Sequence, residues 1–253
     1  MKLIDTHCHI HETEFFPNVA EQEAAYQRAI NAEVAIICVA TSEKASREAI
    51  DFVSRHDQTW AVLGVHPHEA KDGCTAIGGL LAERHEKVVG IGEIGLDYYY
   101  DNSPREEQIK ILEQQLQWAM EYDLPVSFHV REAFDDFWPI FDNFHGIRGV
   151  LHSFTDTQAN LEAGFSRGLY VGINGISTFT KDPSQQRMYA ELPLERMLLE
   201  TDAPFLTPAP LRGKMNEPSY VGRVAEHASS LRGVSLDVVS RMTTDNARKL
   251  FAI

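Results

Sequence analysis

The sequence predicts a (β/α)8 TIM barrel of the α/β class, one domain over residues 1–253 with extra helices at its C-terminal end. Three observations carry this. Eight short runs rich in β-branched residues alternate with amphipathic segments along the chain. The runs are apolar on both faces, as in Val34-Ala35-Ile36-Ile37-Cys38-Val39, a pattern that belongs to parallel strands covered by helices. No G-x-G-x-x-G follows the first run and no Pro/Gly/Ser linker divides the chain, which disfavours an open dinucleotide-binding sheet.

The first strand is expected at Leu3–Cys8, with a helix at Val19–Asn31 behind it. Val34–Ala40, Thr59–Val65 and Val88–Glu93 follow as strands, separated by helices at Glu43–His56 and Thr75–His85. A helix over Pro104–Tyr122 begins at Ser103-Pro104-Arg105-Glu106, where Ser at the cap, Pro at the first helical position and Glu three residues after the Ser form a capping box. Strands at Pro125–His129, Gly149–His152, Leu169–Ile173 and Met197–Glu200 complete the eight. Between them lie helices at Ala133–Phe144, Thr157–Arg167 and Pro183–Leu192, the last opened by Asp182. Phe134, Phe137, Trp138 and Phe141 recur at helical spacing and read as a core-facing stripe. Helices near Ser219–Leu231 and Leu236–Leu250, the second capped by Ser235, finish the chain.

Composition narrows the function. Hydrophobic residues make up 43% and charged residues 24%, as in ordinary globular proteins. With 23 basic and 37 acidic residues the formal charge is −14, which argues against coating nucleic acid through a broad basic face. Cys8, Cys38 and Cys74 cannot all pair within one chain and show no C-x-x-C spacing. They read as reduced thiols of a cytoplasmic protein. Asp5 and His7 interrupt the N-terminus too early for a signal peptide. The longest apolar run, Val34–Ala40, is far too short for a membrane helix. No membrane association and no obligate protein partner are expected.

The chemistry lies where metal-capable residues fall. In a regular first strand Leu3, Asp5, His7 and His9 share one face while Ile4, Thr6, Cys8 and Ile10 share the other. Two imidazoles at i and i+2 can then converge on one ion, with Cys8 pointing away. A lone H-x-H is a weak signal, but the position recurs. Glu93 ends the fourth strand run, His129 the fifth and His152 the sixth, and Asp202 follows the eighth. In such a barrel the C-terminal strand ends form the active-site face. Four histidines and two carboxylates without a thiol suit Zn, Mn, Co, Ni or Fe better than Ca or Mg, which prefer all-oxygen shells. Six ligands exceed one tetrahedral ion, so a pair of ions bridged by a carboxylate such as Glu93 is the economical reading.

These residues sit in motifs that resemble the TatD-type metal-dependent deoxyribonucleases, a branch of the amidohydrolase-like barrel hydrolases. The resemblance is carried by Asp5-Thr6-His7-Cys8-His9, Gly64-Val65-His66-Pro67-His68 and Gly92-Glu93-Ile94-Gly95-Leu96-Asp97-Tyr98. It continues through Pro125-Val126-Ser127-Phe128-His129, Val150-Leu151-His152-Ser153-Phe154-Thr155 and Glu200-Thr201-Asp202-Ala203-Pro204. Arg212-Gly213-Lys214-Met215-Asn216-Glu217-Pro218 and Thr244-Asp245-Asn246-Ala247 complete it. Val130 stands where the family usually has a polar residue. The resemblance implies that His7, His9 and Asp202 hold a first divalent metal ion, that Glu93 bridges, and that His129 and His152 hold a second. The ions' identity stays open among Zn, Mn, Mg, Co, Ni and Fe.

The implied activity is hydrolysis of phosphodiester bonds, a DNase trimming single-stranded DNA ends from 3′ to 5′. Water activated by the ions would attack phosphorus, with Asp202 as general base. Arg212 and Lys214 either steady the phosphate or form a solvated basic loop. His66 either binds substrate, supports a ligand or packs. Tyr98, Tyr99 and Tyr100 either stack on a base or pack a loop, and Asp97 either orients a ligand or shapes a turn. His11, His56, His68, His85, His145 and His227 read as surface or capping residues. The alternative enzyme is an amide or ester hydrolase on the same barrel, such as a deacylase of aminoacylated RNA. A silent metal-binding module would have lost Glu93 or Asp202, and both are present.

Overall fold

The computed structural model describes residues 2–100 and 102–253. Its strands are β1 (Leu3–Cys8), β2 (Val34–Val39), β3 (Thr59–Leu63), β4 (Val88–Asp97), β5 (Val126–Arg131), β6 (Gly149–Leu151), β7 (Tyr170–Ile173) and β8 (Met197–Leu199). Each pairs in parallel with the next, in chain order. The ring closes beyond the last strand: Asp202 N donates to His7 O at 2.8 Å and His9 N donates to Ala203 O at 2.8 Å. This is the expected (β/α)8 barrel.

The described helices are α1 (Val19–Asn31), α2 (Glu43–Arg55), α3 (Thr75–Ala82), α4 (Arg105–Tyr122), α5 (Phe134–Phe141), α6 (Gln158–Ser166), α7 (Pro183–Glu191), α8 (Val221–Arg232) and α9 (Leu236–Phe251). In α2, Ser42 accepts from Ala45 N, and Ala45, Ala49, Phe52 and Val53 form the buried stripe, so cap and period agree. Phe134, Phe137 and Phe141 are buried as expected of α5. Asp182 and Ser235 cap α7 and α9.

Two apolar regions hold the barrel. The larger packs helices on the outside of the strands. The smaller draws Ile4, Ala35, Ile37, Val39, Val62, Val150 and Leu198 from five strands together with Ala247, Leu250 and Phe251 of α9. Side chains from so many strands meet only inside the barrel, so α9 plugs its interior from one end. That end is the N-terminal one: Thr244 Oγ1 donates to Lys2 O, and Asn246 Nδ2 donates to Leu194 O and Met197 O.

The structure corrects three readings. The pairing of β1 with β2 shifts between Asp5 and Cys8, and the alternation inverts there: Leu3 packs with Cys8 and Ile10, not on the His7 side. Cys8 does point away from the histidines, its Sγ facing Ile37 O. The fourth strand runs past Glu93 to Asp97, with a register shift between Ile91 and Ile94. Gly95 permits this extension, because a Cβ there would overlap the His129 carbonyl. The capping box is absent: Pro104 occupies the cap position without a side-chain bond. Ser103 Oγ instead donates to His68 O at 2.6 Å and accepts from Lys71 N at 3.1 Å, so a tertiary contact outcompetes the local one.

Candidate metal centre and active site

The C-terminal strand ends surround a cavity of about 680 Å³ whose wall includes His9, His66, Glu93, His129, His152 and Asp202. The register shifts of β1 and β4 span His7 and Glu93; such bulges re-aim side chains next to functional sites. Glu93 is buried and central. Its Oε2 lies 3.3 Å from His7 Nε2 and 3.9 Å from His9 Nε2. Its Oε1 lies 2.8 Å from His129 Nδ1, 3.3 Å from His152 Nε2 and 3.5 Å from His66 Nε2. Asp202 Oδ1 lies 3.3 Å from His9 Nε2 and 3.8 Å from His7 Nε2.

All six expected ligands therefore converge. Donor atoms within 4.8 Å of one another form three sets: His7, His9 and Asp202; His7, Glu93 and His152; His66, Glu93 and His129. The first matches the expected set. The other two differ from it, since His152 stands nearer His7, their rings stacked at 3.7 Å, and His66 joins His129.

A second layer orients these side chains, and most of it was not read from the sequence. His9 Nδ1 lies 2.8 Å from Val39 O and 3.2 Å from Glu12 Oε1. A carbonyl oxygen only accepts, so Nδ1 carries a proton and Nε2 is the nitrogen that can offer a lone pair. His152 Nδ1 faces Glu200 Oε1 at 3.1 Å to the same effect. Glu200 Oε1 also accepts from Ser153 N at 2.6 Å. It fits only because residue 172 is glycine, where a Cβ would strike its carboxylate. His7 Nδ1 meets Ser127 Oγ at 3.2 Å. Asp97 satisfies both of its expected roles: Oδ2 lies 2.9 Å from His129 Nε2, while Oδ1 accepts from Tyr99 N and Tyr100 N. Such carboxylate and carbonyl partners are how proteins fix the ring and tautomer of a ligating histidine. Ser127 and Glu200 were missed because only folding brings them to their histidines; Glu12 lies three residues from His9, and that short spacing was the signal for it.

Electrostatics follow the crowding. Burial alone would raise the Glu93 carboxyl, but the imidazoles of His152, His66 and His7 and the His129 hydrogen bond hold it well below the usual carboxylate range. Burial opposes ionisation of Asp202 too, and its bond to His9 and the nearby His152 outweigh it, keeping the pKa low. Burial pushes His66 down to about 4.

The donor set fits a cation on one observation above all. His7 Nε2 is buried and has no hydrogen-bond partner among the described residues, although buried polar atoms are nearly always paired. It faces two carboxylates, and a divalent cation between them would satisfy all three groups.

Other expected residues lie elsewhere. Arg212 donates to Thr207 O at 3.0 Å and stacks over Phe179; neither it nor Lys214 is part of the cavity wall. Tyr98 packs under Arg105 and donates to Asp136, and Arg131 covers Tyr99. Tyr100 alone of the three lines the cavity. His68, expected on the surface, lines it as well, with Nε2 3.0 Å from Asp97 Oδ2. His11 is buried, with neither ring nitrogen paired among the described residues. His56 caps the end of α2 as expected.

A parallel eight-stranded barrel with histidines and carboxylates gathered at its C-terminal rim is the architecture of the metal-dependent barrel hydrolases. Comparison with known proteins narrows this: the family model described as TatD related DNase matches residues 4–252, and the chain belongs to that family of metal-dependent hydrolases. It is 34% identical over 256 residues to the uncharacterized metal-dependent hydrolase YabD of Bacillus subtilis, covering 99% of both chains. It is 33% identical over 245 residues to the 3′-5′ ssDNA/RNA exonuclease TatD of Pantoea ananatis, covering 92% of this chain and 94% of that one. The crystal structure of YjjV, a TatD homologue from Escherichia coli K12, superposes with a TM-score of 0.91 at 31% identity, covering 100% of this chain and 98% of that one. Among the described residues no helix is long and apolar enough to cross a membrane.

Proposed function

We propose that the protein is a two-metal phosphodiesterase that trims single-stranded DNA ends from 3′ to 5′. The observation that carries this reading is the position of Glu93, whose two carboxylate oxygens face different histidines. Oε2 faces His7 and His9, while Oε1 faces His129 and His152. A carboxylate presented in this way suits two cations side by side. His7, His9 and Asp202 would hold one, His129 and His152 the other, with Glu93 between. Bound there, the cations would supply Lewis acidity to a phosphoryl oxygen and acidify water.

The chain's own groups supply the rest. Asp202, held ionised by His9 and His152, accepts a proton from the attacking water at a carboxylate oxygen. Glu12, Ser127, Asp97 and Glu200 keep the imidazoles aimed, so little reorganisation is needed during reaction. The name of the Pantoea relative supports a single-stranded substrate and the 3′ to 5′ direction. The charge of −14 suits engagement of a chain end over coverage of duplex, and a shallow dependence of affinity on salt is expected. Cys8, Cys38 and Cys74 are free and buried, which suits a reducing cytoplasm.

The test is activity after chelation and readdition of single metals, run on end-labelled single-stranded DNA, an aryl phosphodiester and an acylated RNA. Metal-restored release of nucleotides from the 3′ end is expected. Acyl turnover without phosphodiester turnover would overturn the reading in favour of the deacylase.

A further inference from the structure

Among the described histidines of the cavity wall, His66 is the one whose Nδ1 accepts from a backbone amide. It follows β3 and caps the short 3-10 turn Pro67–Asp72. Pro67 brings no N–H to that turn, so the first amide available is that of His68, which donates to His66 Nδ1 at 3.1 Å. An amide N–H can only donate. Nδ1 must therefore present its lone pair, and a neutral imidazole has just one. The proton sits on Nε2.

Nε2 faces the cavity. It lies 3.5 Å from Glu93 Oε1, a long contact to an oxygen already engaged by His129 Nδ1 at 2.8 Å. His9 and His152 contrast with it: their Nδ1 atoms face acceptors, leaving Nε2 as the ligating atom. His66, Glu93 and His129 are close enough to suggest a third cation, but His66 Nε2 could ligate only by giving up the cap.

We propose that His66 is a neutral, tautomer-locked hydrogen-bond donor that positions an anionic oxygen of the substrate, a phosphoryl oxygen, beside the metal pair, and that it is not a metal ligand. This rests on the reading of the cavity as a phosphate-handling site. A fixed donor aimed at developing charge needs no reorganisation when the ligand arrives.

Two measurements on the intact protein test it. In cadmium-loaded protein with isotope-labelled histidine, long-range nitrogen–proton spectra should give His66 a pyridine-type Nδ1 and a pyrrole-type Nε2, without coupling to cadmium. Coupling to cadmium, or a proton on Nδ1, overturns the assignment. Calorimetry of inorganic phosphate binding to the metal-loaded protein supplies the second. His66→Asn keeps an acceptor for the His68 amide but loses the cavity donor, and should weaken phosphate about tenfold or more with metal content unchanged. His66→Gln retains a donor near the Nε2 position and should recover most of the affinity. Phosphate binding that His66→Asn leaves intact, or a loss of one metal equivalent in that variant, overturns the proposal. Neither measurement uses nucleic acid, so a failure of the DNase reading alone would leave both results standing.

Discussion

The N-terminal end of the barrel is closed by apolar packing: Ala247, Leu250 and Phe251 of α9 press against side chains from most of the strands. At the C-terminal end the same strands deliver histidines and carboxylates to a cavity, and beside it His7 Nε2 and Glu200 Oε2 are buried without partners among the described residues. One sheet thus carries stability at one end and unsatisfied polar groups at the other. The difference teaches that a barrel can tolerate an electrostatically frustrated rim because the opposite end is sealed by a helix that contributes no residue to the cavity wall.

This division predicts that damage at one end leaves the other intact. The largest effect is expected from Asp202→Asn, which removes the proton acceptor while preserving shape. Turnover of an aryl phosphodiester should fall by about 10²–10⁴-fold, with the thermal midpoint nearly unchanged. Undiminished turnover would take Asp202 out of its role. At the other end, Phe251→Ala should cost about 3–5 kcal/mol of stability by opening a cavity under the barrel, read from denaturant unfolding of the metal-free protein. Its activity per folded molecule should match the parent, and a proportionate loss of activity would show the two ends to be coupled.

Between them in location lies Glu200, buried behind His152. Glu200→Gln should weaken metal binding by about 10–100-fold in a competition titration, with little change in unfolding. Unaltered metal affinity would mean that His152 needs no help in holding its orientation. The smallest effect is expected from Ser103→Ala. It loses the bonds to His68 O and Lys71 N and should cost about 1 kcal/mol. A loss of helicity in that variant would restore the capping role that the local sequence suggests.

The Ser103 case marks how far local sequence reasoning reaches. Ser-Pro-x-Glu is a sound helix start, yet the hydroxyl is drawn to the loop after β3 because folding places that loop beside it. Glu93 fails differently. It ends an apolar run, but Gly95 lets β4 pair onward with β5 as far as Asp97, so the strand end lay farther along than composition suggested. In β1 strict alternation put Leu3 with the histidines, and the register shift between Asp5 and Cys8 reversed it. Bulges leave no reliable mark in a single sequence, since they depend on the partner strand.

Residue type and burial pattern alone determined the barrel, its eight strands and which six side chains to seek at the rim, because burial on both faces and metal-capable residues toward the ends of the apolar runs are written along the chain. Tertiary structure decided which nitrogen each histidine offers, and which carboxylate stands behind it. Those choices rest on contacts such as the Val39 carbonyl with His9, 30 residues apart, and Glu200 with His152, 48 apart. A proton's place on an imidazole is set by the group opposite the other nitrogen, and here that group is most often supplied by a distant part of the chain.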